Sequence, residues 1–208
     1  MKKITLLLIA LIGTTGIMLG QSKLLRFPNS SDTQITFTHA GDIFTVPIDG
    51  GIARRVTVSD GIEMFPRFSP DGNTIAFSGE YNGNQQVFVM PSEGGMPIQR
   101  TFNMDSEGLP ERMGPNKIIL EWSKDGKDIV FRSRQDSWHI LEGKIFTVPA
   151  VDGLVETLDL PKSGYASLSP NGSKIAYNRI FRDYRTWKRY RGGQVAEVWI
   201  YDFNTREL

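Results

Sequence analysis

The sequence has no cysteine and two histidines in 208 residues, and neither sign of charge is in excess, the formal net charge being +1. The missing thiols exclude disulfides, thiolate metal sites and a cysteine nucleophile together. Only His39 and His139 offer an imidazole. His39 ends a stretch of alternating polarity and reads as structural. Ser137-Trp138-His139 sets a hydroxyl beside an imidazole, but a triad is a matter of spatial geometry and adjacency in sequence does not make one. No Gly-x-Ser-x-Gly elbow, His-Glu-x-x-His helix, phosphate loop or dinucleotide fingerprint occurs. The sequence therefore offers no catalytic residue, metal site or cofactor site. Near-neutral charge also argues against whole-domain attraction to nucleic acid or an anionic membrane. A sustained helical period with caps is missing as well.

The one long apolar run lies at the start. Lys2 and Lys3 precede a stretch from Ile4 to Leu19 that is broken only by small residues, and Gly20 stands before Gln21. The run is short for a membrane span, which wants about 20 apolar residues. Residues 1–20 read as a secretory signal peptide, with an uncleaved N-terminal anchor as the alternative. The expected location is outside the cytoplasm, cleavage leaving a periplasmic chain with no membrane segment. No cysteine is present to carry a lipid.

What fills the rest is a repeat. Phe68-Ser69-Pro70-Asp71-Gly72 returns as Trp122-Ser123-Lys124-Asp125-Gly126 and as Leu168-Ser169-Pro170-Asn171-Gly172. Three residues after each glycine stands an apolar triplet: Ile75-Ala76-Phe77, Ile129-Val130-Phe131 and Ile175-Ala176-Tyr177. Proline pre-sets the turn, Asp or Asn follows, and glycine accepts the positive φ that closes it, so the unit is a hairpin of fixed register. The carboxylates of Asp71 and Asp125 sit at the same turn position and read as bonding to turn backbone. A second motif, Ile43-Phe44-Thr45-Val46-Pro47, recurs at Val87–Pro91, Ile145–Pro149 and Val198–Asp202. The first three copies run into glycines and then into a more polar strand: 53–58, 97–102 and 154–158. Charged residues there suit an outer edge kept soluble.

Four short strands recurring roughly every 40 to 55 residues make a propeller blade. The predicted fold is all-β, an incomplete β-propeller of about three and a half to four four-stranded blades of WD40-like or TolB-like kind. The blades fall at about 34–58, 63–102, 117–158 and 165–208, within a domain spanning 21–208. The fourth copy is expected to lack its outer strand. An open arc leaves apolar blade faces uncovered, which implies a larger parent protein or a partner.

The run Arg179 to Gly193 carries six basic residues, one acidic residue and four aromatics. Three uses suit it: a solvated insertion whose rings pack on the propeller, a site where arginines hold peptide carboxylates, or a stacking surface for single-stranded nucleic acid. The net charge disfavours the last.

Phe65-Pro66-Arg67-Phe68-Ser69-Pro70-Asp71-Gly72, then Gly94-Gly95, then Arg185-Thr186-Trp187-Lys188-Arg189-Tyr190-Arg191-Gly192-Gly193 before Val198–Asp202, resemble the N-terminal propeller of tricorn proteases. The resemblance runs from about Leu24 to the end, and the Trp-Lys-Arg-Tyr-Arg-Gly-Gly run is its most specific part. The Ser-Pro-Asp-Gly repeat alone is shared with TolB-like propellers. The resemblance implies a serine peptidase that degrades oligopeptides, homo-oligomeric at full length, whose six-bladed first propeller gates peptides. The catalytic residues of that family lie in later segments, so none is carried over. An arginine pair between blades two and three binds the substrate carboxylate in archaeal members. Here the matching stretch is Glu111-Arg112-Met113, so Arg112 alone matches and Glu111 breaks the pair. The candidate substrate-binding set is Arg112, implied by the resemblance, with Arg185, Trp187, Arg189 and Arg191 from the basic–aromatic run, and the implied partners are peptides and the remaining domains of the parent. The family is usually cytoplasmic, against the export signal. A non-enzymatic exported TolB-like interaction module is the alternative function.

Overall fold

A computed structural model describes residues 24–103, 115–135, 137, 142–180, 189–193 and 195–208. The apolar leader 1–20, Arg112, Arg185, Trp187 and His139 lie outside them. The described residues form fifteen strands and no helix. Each sheet is built from consecutive strands paired antiparallel with their sequence neighbours. The first contains β1 (Arg26–Ser30), β2 (Gln34–His39), β3 (Asp42–Pro47) and β4 (Arg54–Arg55). The second contains β5 (Glu63–Phe68), β6 (Thr74–Gly79), β7 (Gln86–Pro91) and β8 (Ile98–Gln99). The third contains β9 (Ile118–Trp122), β10 (Asp128–Ser133), β11 (Lys144–Pro149) and β12 (Glu156–Thr157). The fourth has three strands, β13 (Ala166–Leu168), β14 (Lys174–Asn178) and β15 (Val198–Asp202), and a bridge from Asp202 to Glu207 follows them. This is the incomplete propeller that the repeat predicts.

Two boundaries differ from the sequence reading. The first blade starts at Arg26, not Gln34, because β1 pairs with β2 from Arg26 opposite Thr38 to Ser30 opposite Ile35. The outer strands are two residues long, shorter than the polar stretches that mark them.

The hairpin chemistry is the same in three sheets. Ser69 N–H donates to Thr74 O at 2.8 Å, and Gly72 N–H donates to Ser69 O at 2.8 Å. Thr74 N–H donates to Ser69 Oγ at 3.0 Å, and the hydroxyl donates to Asp71. Asp71 in turn accepts the Asn73 N–H at 3.1 Å. Ser123, Asp125 and Asp128 repeat this set, as do Ser169, Asn171 and Lys174. Gly72, Gly126 and Gly172 take φ of 72°, 71° and 71°, a region that a side chain resists. Serine is needed because one short hydroxyl both accepts from the far strand and donates to the turn acid. These bonds hold the Asp71 and Asp125 carboxyls below the usual carboxylate range, the hydroxyl contributing most.

Register makes Ser30, Phe68, Trp122 and Leu168 equivalent, each opposite an isoleucine: Ile35, Ile75, Ile129 or Ile175. Two residues further along β2, β6, β10 and β14, an aromatic faces another across the next strand. The pairs are Phe37–Phe44, Phe77–Phe88, Phe131–Phe146 and Tyr177–Trp199. The three phenylalanine pairs stack at 5.7–5.8 Å between centroids. One face of each sheet carries these rings, and the other packs on the next sheet. Ile43 thus meets Ile75, Phe77, Phe88 and Met90 in one core, while Ala76, Val87 and Val89 join the core of the third and fourth sheets. On the far face of the fourth sheet, Val198 and Ile200 are 77% and 57% exposed. Val87 and Val89, their equivalents in the second sheet, are buried beneath the third.

The innermost strands are also bonded one to the next. Asn29 Oδ1 accepts the Phe68 N–H at 2.8 Å. Arg67 Nε donates to Leu120 O at 3.0 Å, and Trp122 Nε1 returns a bond to Arg67 O at 2.9 Å. The Leu168 N–H donates to Glu121 Oε1. Phe27 and Phe65, at φ 53° and 56°, sit at equivalent bulges where the ladder shifts register. The prolines that follow them, Pro28 and Pro66, have no N–H for the ladder, which suits a bulge. The two rings touch, with centroids 4.1 Å apart.

Two variants test this arrangement by chemical denaturation. Phe77→Ala removes a ring with no exposed surface and is expected to cost about 3–5 kcal/mol. Ser123→Ala deprives the Asp128 N–H and the Asp125 carboxylate of their shared partner and is expected to cost about 1 kcal/mol.

Candidate functional site

Antiparallel order places the connections on two opposite faces. The Ser-Pro-Asp-Gly turns and the turns after Pro47, Pro91 and Pro149 share one face. The connections from the second strand to the third, and from each outer strand to the next sheet, share the other. The longest connections, 100–117, 134–143 and 179–197, leave and re-enter their strands on this second face. The runs singled out for Arg112 and for the basic–aromatic stretch therefore start and end on the same face.

A cleft of about 360 Å³ opens there between the third and fourth sheets, lined among others by Glu142, Lys162, Arg179, Gly192, Glu197 and Trp199. Lys162 Nζ lies 2.6 Å from Glu142 Oε1, closing an ion pair at the edge of the cleft. The Arg179 guanidinium carbon sits 4.8 Å from the centroid of the Trp199 ring. A cation over an indole face is held by the ring quadrupole, which fixes the guanidinium plane and leaves its edge N–H groups for an acceptor. Arg179 forms no ion pair among the described residues. Trp199 is positioned by β15, where it lies opposite Tyr177 on β14, so the ring belongs to the sheet and the arginine to the connection. Burial pushes the Tyr177 hydroxyl up from its ordinary value, and the nearby Arg179 charge partly offsets that.

A second cleft, of about 430 Å³, lies on the turn face between the second and third sheets. Its floor includes Trp122, Met90 and Ile98, and Asp71 and Asp125 border it. Those carboxylates already serve the hairpins, and no cation lines the cleft. The chemistry thus favours the loop face.

Of the residues singled out in the sequence, Arg189 and Arg191 are described and exposed, with Arg189 at φ 60°. Gly192 and Gly193, which close the same run, line the cleft. Arg112, Arg185 and Trp187 lie outside the described residues, so they are not brought together here with Arg189 and Arg191. His39 packs edge-on against Phe44, with centroids 5.7 Å apart. Asp71 and Asp125 bond to turn backbone, as their shared turn position suggests. Sequence reasoning missed three contributors to the cleft. Arg179 stood inside the basic run without a distinguishing role, and Glu142 and Lys162 belong to no motif. The spacing of Tyr177 and Trp199 in their paired strands could have pointed to Arg179, which follows two residues after the tyrosine.

Along the inner strands two charged groups are half-buried. Burial lowers the Arg67 guanidinium from its ordinary value, against the opposing pull of Tyr165 and Glu121. Burial likewise raises the Glu121 carboxyl, opposed by the Leu168 N–H and Arg67.

A tricorn protease homologue from Streptomyces coelicolor is 30% identical over 176 residues, which cover 85% of this chain and 16% of that relative. A tricorn-like protease N-terminal subunit from Sulfurisphaera tokodaii is 25% identical over 176 residues, covering 83% of this chain and 84% of its own length. A TolB homologue from Chlorobium luteolum is 45% identical over a 58-residue stretch, 28% of this chain and 13% of the relative. The crystal structure of the tricorn protease superposes with a TM-score of 0.70 at 18% identity, over 88% of this chain and 18% of that one. Residues 22–208 match the tricorn protease N-terminal beta propeller domain, and the chain belongs to that family.

Proposed function

We propose that this chain is the N-terminal propeller of a tricorn-like serine peptidase, in which it acts as scaffold and gate for oligopeptides while other segments of the parent break the bond. The family match across 22–208 carries this reading. The S. coelicolor relative is much longer than this chain, in keeping with a parent of several domains, and a homo-oligomeric parent belongs to the same proposal. The cleft supplies what a peptide terminus needs. Arg179 offers a fixed guanidinium for a carboxylate, Trp199 offers apolar surface, and Arg189 and Arg191 add positive charge nearby. Arg112, Arg185 and Trp187 belong to the same proposed set on sequence grounds. The N-terminal run supports export before assembly.

A second reading, a TolB-like module that binds a partner protein, is favoured by the 45% identity over 58 residues. The readings separate in the full-length gene product. Cleavage of fluorogenic oligopeptides supports the first, and a gene product that captures a protein partner with no peptidase activity supports the second.

The peptide site is tested by fluorescence anisotropy with labelled oligopeptides that end in a free carboxylate or an amide. The acid form is expected to bind about tenfold more tightly or better, the worth of a charge-assisted hydrogen bond. Arg179→Ala is expected to abolish that difference. Equal affinity for acid and amide would rule out a carboxylate site.

A further inference from the structure

Five residues ahead of Phe68, Trp122 and Leu168, at or just before the start of the innermost strand, each later sheet has a buried residue: Glu63 in the second sheet, Lys117 in the third and Ser163 in the fourth. All three have no exposed surface. The Glu63 N–H donates to Gly41 O at 2.7 Å, and the Ser163 N–H donates to Gly143 O at 2.7 Å, so the position closes the seam to the preceding sheet. Around Glu63 the closure runs through its side chain. Ile43 N–H donates to Thr57 Oγ1 at 2.8 Å, and the Thr57 hydroxyl donates to Glu63 Oε2 at 3.0 Å. Glu63 Oε1 and the Tyr81 hydroxyl are both buried, and the hydroxyl interacts with the carboxyl. The charged groups facing the carboxyl are Asp42 on β3, which repels its anion, and Arg55 on β4, which attracts it. Arg55 is already engaged with Asp42 at 2.6 Å and with Thr57 O at 2.8 Å.

In the second sheet the threonine bond recurs but stays within that sheet, and no acid takes part. Val87 N–H donates to Thr101 Oγ1 at 2.9 Å, and that hydroxyl donates to the neutral amide oxygen of Gln86 at 2.6 Å. Among the described residues, the first seam alone has a carboxyl at this position.

We propose that the seam between the first and second sheets is a proton-dependent latch, shut when the buried Glu63 carboxyl carries a proton and loosened when it ionises. A neutral carboxyl still accepts the Thr57 hydroxyl through one oxygen. The other oxygen can pair with the Tyr81 hydroxyl in either protonation state, so what separates the two states is the buried charge itself. An anion would have to remain there out of water and close to Asp42. Burial, the largest influence, pushes the carboxyl from 4.5 up to about 7, Asp42 adding to it and Thr57, Tyr81 and Arg55 opposing. The shut seam therefore holds its proton more tightly than the open one. Its stability is greatest below pH 4.5, falls as pH rises towards 7, and is level above that. This is a property of the seam, whichever ligand the loop face takes.

Amide hydrogen exchange of the full chain between pH 4.5 and 8, corrected for intrinsic rates, reads the latch at Ile43 and Glu63. Protection of those two amides is expected to fall roughly a hundredfold or more up to about pH 7 and then flatten. The Val87 amide in the second sheet is expected to stay level. Glu63→Gln keeps the neutral shape and is expected to give a flat profile at Ile43. Profiles at Ile43 that coincide in the wild type and Glu63→Gln would overturn the proposal. Titration of the Glu63 carboxyl carbon by NMR in the wild type needs no variant: a midpoint within about a unit of 7 supports the latch, and one at the ordinary carboxylate value overturns it.

Discussion

Each sheet in this chain is too narrow to bury both of its faces, and the structure depends on how one sheet is fixed against the next. That fixing starts at the innermost strands. The side chains of Asn29, Arg67, Trp122 and Glu121 each reach from one strand to the backbone of its neighbour, so adjacent sheets are joined by hydrogen bonds as well as by apolar contact. Apolar packing alone is non-directional and would tolerate sliding. The polar stitches set the height of each sheet relative to the last. With that height set, the phenylalanine pairs, the isoleucines opposite the turns and the valines on the following face meet in register.

Much of the fold was legible because its most demanding element is local. The Ser-x-Asp/Asn-Gly hairpin needs a hydroxyl, a side-chain oxygen and a positive φ at fixed spacing, and few other residues satisfy that, so the repeat stands out in one sequence. The first strand was missed because it leads into a shorter turn, Ser31-Asp32-Thr33, without the proline and glycine. There Ser31 still accepts the Gln34 N–H at 3.1 Å, so the bond persists where the motif does not. The signal that could have found it is Phe27-Pro28, which repeats Phe65-Pro66 at the bulge. The outer strands were drawn too long because polarity marks an edge without saying how many of its residues pair.

The candidate site was less legible for a related reason. Arg179 and Trp199 lie twenty positions apart and meet only because β14 and β15 are paired on either side of a long connection. Nothing in the local sequence distinguishes that arginine from the five other basic residues of its run. The same holds for Glu63, whose character comes from Thr57, Tyr81 and Asp42 converging on a strand start. A glutamate ahead of an apolar strand is unremarkable in sequence, and burial is what changes its chemistry.

The placement of connections has a corollary. One side of the arc is committed to hairpins each held by several hydrogen bonds, so insertions there would break the framework. On the opposite side, strand ends are closed by their own backbone bonds before the chain departs, and lengthening the excursion disturbs little inside. Added length is therefore far less costly on one surface of this chain than on the other.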